Sequence, residues 1–100
     1  LGGRNRKLAD YIAPILQKSL PDYEFETSLE KIPKELRGQH KQNPVNYPPL
    51  NGVQLELPPT LRWNREEWGW SDNGGIGRAE QVDQLITALV FAVTNWETSL

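Results

Sequence analysis

One carboxylate stands out among the residues of this sequence that could do chemistry. Glu56 lies near the end of residues 52–57, whose sequence GVQLEL alternates apolar and polar side chains. Such alternation predicts a strand, and open α/β sheets bind their ligands beyond the carboxyl ends of their strands. Glu56 is therefore a candidate general acid or base. The alternative interpretation is a solvated carboxylate on the polar face of this strand.

Basic side chains flank this carboxylate in the sequence. Residues 37–65 contain four basic residues and one acidic residue, whereas the whole chain carries a net charge of −2. Basic groups near Glu56 could attract a carboxylate-rich substrate to a catalytic acid or base. Scattered surface charge is the other explanation. The four basic residues are Arg37, Lys41, Arg62 and Arg65.

The single histidine and the absence of cysteine limit the chemistry of metals and nucleophiles. The chain contains one His and no Cys. This composition excludes a Cys-ligated zinc site, an iron–sulfur cluster, a thiol nucleophile and any site that needs two imidazoles. His40 stands in a polar segment and is interpreted as a solvated histidine, so the sequence predicts no metal site within this chain.

A second candidate surface is rich in tryptophan and glycine. Trp63, Trp68 and Trp70 could stack on a sugar, a base or a peptide, which makes a non-catalytic binding or assembly module the alternative function. The plainer interpretation is that one or two of these rings fold back onto the core. Residues 73–77 lack the full pattern of a phosphate-binding loop and are predicted to be a flexible joint before a helix.

Few elements are available to position these residues. Apolar spacing predicts one helix after Asn5, interrupted at Pro14, and a long helix from about residue 78 to residue 97. Residues 23–27 and 52–57 predict strands, and residues 38–51 and 64–77 predict loops. The expected fold class is α/β, a small fragment-like domain with two main helices and two or three strands. Because an isolated strand pair is marginally stable, these strands resemble the edge of a larger sheet.

Length and composition favour one folded domain over residues 1–100. The chain has 100 residues, of which 37 % are hydrophobic and 24 % are charged, as in a globular domain. The net negative charge argues against a nucleic-acid partner. No apolar run approaches the roughly 18 to 20 residues that span a membrane, so a soluble, cytoplasmic protein is expected. Because the chain lacks Met and begins with Leu1, we expect it to be a piece of a longer protein.

Three short motifs carry a resemblance to a known family. Residues 43–46 (NPVN), residues 52–57 (GVQLEL) and Leu61-Arg62 together resemble the C-terminal part of the phage-type poly-γ-glutamate hydrolase family. The pair Gly2-Gly3, followed by a helix and a strand, is also similar to the family's order of elements. The resemblance covers most of residues 2–62, and the hexapeptide is its most specific part.

This resemblance implies a zinc-dependent hydrolase with a carboxypeptidase-like mixed sheet that cuts the γ-glutamyl amide bonds of poly-γ-glutamate. Glu56 matches the acidic residue implied to be the general base, and Arg62 matches a basic position that would hold a substrate carboxylate. The family's zinc ligands lie upstream and have no match here. The chain is therefore expected to be the C-terminal portion of a parent protein whose remainder binds the zinc, and to be inactive alone.

Overall fold

The computed structural model of the chain describes residues 1–71 and 77–99. The described residues form three α-helices and one antiparallel pair of short strands, so the predicted mixed α/β class is confirmed. The glycine-rich joint predicted at residues 73–77 falls almost entirely outside the described residues. The elements are α1 (Arg6–Ser19), α2 (Pro59–Arg62), β1 (Trp63–Asn64), β2 (Gly69–Trp70) and α3 (Glu80–Ser99), with 3-10 turns at Leu29–Lys31, Lys34–Leu36 and Pro44–Asn46.

Helix α1 begins where the sequence predicts and runs through its proline. The Asn5 side chain accepts a hydrogen bond from the Leu8 backbone N–H at 3.0 Å and so caps the first turn. Pro14 lies inside α1, and the helix continues past it to Ser19. Pro14 and Asp10, whose carbonyl loses its usual donor, are both exposed, so water can satisfy that carbonyl.

Helices α1 and α3 pack against each other and form most of the core. The predicted long helix over residues 78–97 is found at Glu80–Ser99. At one end of this contact, the rings of Tyr11 and Trp96 lie 5.1 Å apart. Burying each large apolar side chain stabilises the fold by about 1.5 to 3 kcal/mol. The buried core cluster consists of Ile12, Leu16, Leu20, Leu61, Leu85, Ala88 and Ala92.

The strands lie elsewhere than the sequence predicts. The prediction of a strand over residues 52–57 is wrong, because Gln54 alone pairs there, in an isolated antiparallel bridge with Gly2. Residues 23–27 also form no strand. The observed strands pair Trp63 with Trp70 and residue 64 with residue 69, so all but Trp63 lie within the loop predicted at residues 64–77. A carboxypeptidase-like sheet stays a prediction, since the described residues form one antiparallel pair.

The N-terminal glycines lie between two loops and hold them together. Gly3 has a φ of +88°, and a Cβ atom there would lie 2.1 Å from the Gly52 carbonyl oxygen. The Gly3 N–H donates to the Arg37 carbonyl oxygen at 2.7 Å, and the Asn5 N–H donates to that of Gly52 at 3.1 Å. Only glycine fits this close approach. The bridge between Gly2 and Gln54 is thereby held in register beside Glu56.

Within residues 1–71 and 77–99, no helix has the length and apolar character needed to cross a membrane.

Candidate functional site

Glu56 lies at the rim of a pocket with a volume of about 200 Å³. Its side chain is exposed, so a water molecule or a substrate can reach the carboxylate. Apolar side chains from the loop after α1, from the 3-10 turns and from α2 form most of the wall. The lining residues are Leu1, Gly2, Tyr23, Glu24, Phe25, Glu26, Ile32, Pro33, Leu36, Leu55, Glu56, Leu57, Pro58 and Leu61.

The Glu56 carboxylate is oriented by the side chain of Gln54. Gln54 Nε2 donates two hydrogen bonds. One goes to Glu56 Oε1 at 3.1 Å, and the other goes to the Leu36 carbonyl oxygen at 3.3 Å. Gln54 Oε1 accepts a hydrogen bond from Asn43 Nδ2 at 3.1 Å. Its backbone is fixed as well, because it exchanges bonds of 2.7 and 3.0 Å with Gly2. A hydrogen bond to a charged acceptor is stronger than one between neutral groups.

Acidic groups dominate the electrostatics of this pocket. Three carboxylates, those of Glu24, Glu26 and Glu56, line it, and its described lining residues contain no Lys or Arg. The Glu26 carboxylate turns back to its own backbone and accepts the N–H groups of Thr27 and Ser28, at 3.1 and 3.2 Å.

The backbone nitrogen of Leu1 lies beside these residues, where it donates to the Glu26 carbonyl oxygen at 2.6 Å.

The four basic residues do not gather around Glu56. The guanidinium carbon of Arg62 lies 5.1 Å from the centroid of the Trp70 ring, which is a cation–π contact on the far end of α2. Arg37 Nε donates to the Ile32 carbonyl oxygen at 2.8 Å. Lys41 is exposed on its loop, and Arg65 lines a separate cleft of about 740 Å³ between the end of α1 and the start of α3.

The described residues do not form a metal site. His40 is exposed, and its Nδ1 accepts the backbone N–H of Gln42 at 3.0 Å. Among residues 1–71 and 77–99, no group of three or more His, Cys, Asp or Glu side chains could hold a metal ion. The zinc implied by the resemblance therefore does not fit the described part of this chain.

Two asparagine side chains, one of them buried, hold the loops behind Glu56, and sequence reasoning missed their role. Asn46 is only 8 % exposed. Its Oδ1 accepts the Arg4 N–H at 2.9 Å, and its Nδ2 donates to the carbonyl oxygens of Gly38 and His40 at 2.7 and 3.0 Å. Asn43 caps the adjacent 3-10 turn through its own Oδ1. Both asparagines belong to the NPVN segment, which was interpreted as loop-forming residues.

The tryptophan-rich segment forms a hairpin with one ring pointing outwards. The rings of Trp63 and Trp70 pack edge to face at 5.0 Å against each other, and Trp70 stays 40 % exposed outside the buried core cluster. Asn64 is 6 % exposed, and its side chain accepts the N–H groups of Glu66 and Glu67 and donates to the Gly77 carbonyl oxygen. Trp68, at the tip, is 80 % exposed.

Comparison with known proteins identifies a family. The sequence model of the family described as poly-gamma-glutamate hydrolase matches residues 1–68, which is more than half of the chain. No curated protein and no solved structure matches the chain. The matched range contains Glu56, Arg62, Asn43 and Asn46, and it ends at Trp68 in the tryptophan hairpin.

Proposed function

This chain belongs to the poly-gamma-glutamate hydrolase family, and from that membership we propose that it forms part of a hydrolase that cleaves γ-glutamyl amide bonds. Poly-γ-glutamate is the proposed substrate, Glu56 the general base and Arg62 the group that holds a substrate carboxylate. The observation that carries the proposal is the oriented, solvent-accessible carboxylate of Glu56 within the matched range. Membership of a hydrolase family does not favour the alternative of a non-catalytic binding module.

The proposed reaction is hydrolysis assisted by proton transfer. Glu56 takes a proton from water as the water oxygen bonds to the carbonyl carbon of the γ-glutamyl amide. The carbon–nitrogen bond then breaks, and the same proton passes to the leaving amine. A positioned base of this kind contributes a rate factor of about 10² to 10⁴. The exposure of Glu56 gives water access to its carboxylate.

Zinc in the full-length protein is a further part of the proposal. Bound zinc would polarise the amide carbonyl. Because the described residues offer no cluster of ligands for a metal ion, the ligands would have to lie outside them.

Arg62 is proposed to bind a carboxylate of the substrate. Substrate chains of γ-linked glutamate carry one free carboxylate per residue, and a guanidinium group pairs with carboxylates in a two-bond geometry. The contact with Trp70 restricts where this guanidinium can lie. Since Arg62 stands outside the pocket at Glu56, it is assigned to a neighbouring residue of the polymer and not to the bond that breaks.

The test is a hydrolysis assay of the full-length protein with zinc and poly-γ-glutamate. We expect Glu56→Gln to lower kcat by about 10²- to 10⁴-fold, because glutamine keeps the shape of the side chain and cannot take up the proton. Polymer length and newly released amines are measured together. Glu35→Gln is the matched control, since it removes the same charge from an exposed position on a 3-10 turn and should leave turnover unchanged. Unchanged turnover in Glu56→Gln would overturn the assignment.

A further inference from the structure

Two side-chain amides connect Glu56 to the backbone of a distant loop. The Val45 backbone N–H donates to Asn43 Oδ1 at 3.0 Å. Asn43 Nδ2 donates to Gln54 Oε1 at 3.1 Å, and Gln54 Nε2 donates to Glu56 Oε1 at 3.1 Å. We call the pair Asn43 and Gln54 the amide relay. Every bond in this series points the same way, from a backbone donor to a carboxylate acceptor.

The direction of the hydrogen bonds in the amide relay is fixed by two backbone groups, one that can only donate and one that can only accept. A backbone N–H only donates, so Asn43 must turn its oxygen to Val45 and its NH₂ group to Gln54. Gln54 must then present its own oxygen to Asn43 and its NH₂ group to Glu56. The Leu36 carbonyl oxygen only accepts, and it lies 3.3 Å from the same Nε2 atom. Two independent backbone groups therefore select the same orientation of Gln54.

The amide relay is also anchored before any substrate arrives. Gln54 is bonded to Gly2 through both its N–H and its carbonyl group. Asn43 is half-buried and caps the turn at Pro44–Asn46. Hydrogen bonds in series polarise one another, which strengthens the last bond, the one to the carboxylate.

We propose that Asn43 and Gln54 are positioning residues that act through Glu56, an inference that rests on the hydrolase function proposed above. The relay occupies Glu56 Oε1 and holds the exposed side chain in one rotamer, so that Oε2 receives the proton from water. Without the relay, the Glu56 side chain can rotate away from the orientation in which its Oε2 atom takes the proton from water. Displacement of a catalytic group by about 1 Å can cost up to about a hundredfold in rate.

The sharpest perturbation is Asn43→Asp, which keeps the shape of the side chain and removes its donor. The aspartate still accepts from Val45 and caps the turn. Its second oxygen cannot donate to Gln54, so two acceptor oxygens face each other there, and their repulsion displaces the Gln54 amide from its position beside Glu56. We expect the bond between Gln54 and Glu56 to be lost while the fold is kept.

Side-chain amide signals in ¹⁵N NMR spectra report this change directly in the 100-residue chain. In the unmodified chain, Glu56→Gln should shift both NH₂ signals of Gln54, because their acceptor changes. In the Asn43→Asp background, the same substitution should leave those signals in place. Equal responses in the two backgrounds would overturn the relay, whether or not the protein is a hydrolase.

Kinetics of the full-length protein provide the second readout. Asn43→Asp and Gln54→Met should each lower kcat by roughly 10- to 100-fold and leave KM within about twofold, since substrate contacts are untouched. Gln42→Glu is the matched control for Asn43→Asp, because it adds the same charge at an exposed neighbouring position and should change neither constant. Gln54→Met carries the test alone if Asn43→Asp does not fold.

The outcomes separate the two proposals. If Glu56→Gln remains active, the hydrolase assignment of Glu56 fails, and the NMR comparison still decides whether the relay exists. If Glu56→Gln is inactive while Asn43→Asp and Gln54→Met keep full kcat, the relay has no positioning role and only this inference fails.

Discussion

Replacement of Gly3 by alanine should destabilise the chain strongly, and the structure gives the magnitude. Gly3 has a φ of +88°, which costs an L-residue about 1 to 2 kcal/mol. The new Cβ atom would lie 2.1 Å from the Gly52 carbonyl oxygen, where no carbon atom can fit. The loop at residue 52 must therefore move by about 1 Å. That movement breaks the bond from Asn5 to Gly52 and both bonds between Gly2 and Gln54, at about 1 kcal/mol each. The expected loss is about 4 to 5 kcal/mol.

Urea unfolding of the 100-residue chain, followed by circular dichroism and tryptophan fluorescence, measures this loss as a change in the free energy of unfolding. Gly77→Ala is the matched control, since a Cβ atom at Gly77 would have no neighbour within 4 Å among residues 1–71 and 77–99. Its free energy of unfolding should stay within about 0.5 kcal/mol of the unmodified chain. If Gly3→Ala costs less than about 1 kcal/mol, or if Gly77→Ala costs as much as Gly3→Ala, the close approach of the two loops is refuted.

Two further predictions concern the hairpin and the substrate contact. Asn64→Ala removes a buried side chain that makes three hydrogen bonds, and urea unfolding should show a loss of about 2 to 3 kcal/mol, with Glu66→Ala nearly neutral as the control. A loss as small as that of Glu66→Ala would contradict the role of Asn64 in holding the hairpin. Arg62→Lys should raise KM for poly-γ-glutamate about tenfold with kcat unchanged, because lysine keeps the charge and loses the two-bond geometry. A KM equal to that of the unmodified enzyme would remove Arg62 from substrate binding.

Helices α1 and α3 could be predicted from the sequence because their apolar spacing is a local property. The predicted strand over residues 52–57 failed for the opposite reason, since a strand exists only where another segment pairs with it. Here Gly2 offers one paired residue, and the chain beyond Gln54 has no partner among the described residues. The alternating pattern still has a physical meaning. Leu55 packs against the core from an extended segment while Glu56 faces solvent.

The hairpin and the amide relay could not be predicted from local patterns. The hairpin between Trp63 and Trp70 lacks the Asn-Gly signal of tight turns, and it places Trp68 at a φ of +52°, which tryptophan rarely adopts. The relay joins Asn43 to Gln54 across eleven positions of loop, so its geometry depends on the finished fold. Glu56 could be identified as a candidate because the hexapeptide at residues 52–57 resembles a family motif. That comparison does not depend on the loops that pack behind Glu56.

Gly2 and Gly3 contact loops that lie much later in the sequence, so these contacts cannot form until those loops have been synthesised. Gly2 and its partner Gln54 are separated by about 50 positions, which a ribosome translates in roughly 3 to 10 s. The loops around residues 37 and 52 must leave the ribosome before Gly2 and Gly3 can pack between them. Helix α1 is made before its partners Leu85 and Ala92. Its apolar face cannot pack against α3 until those residues have emerged, and a nascent chain halted before α3 would be a ready substrate for chaperones and proteases.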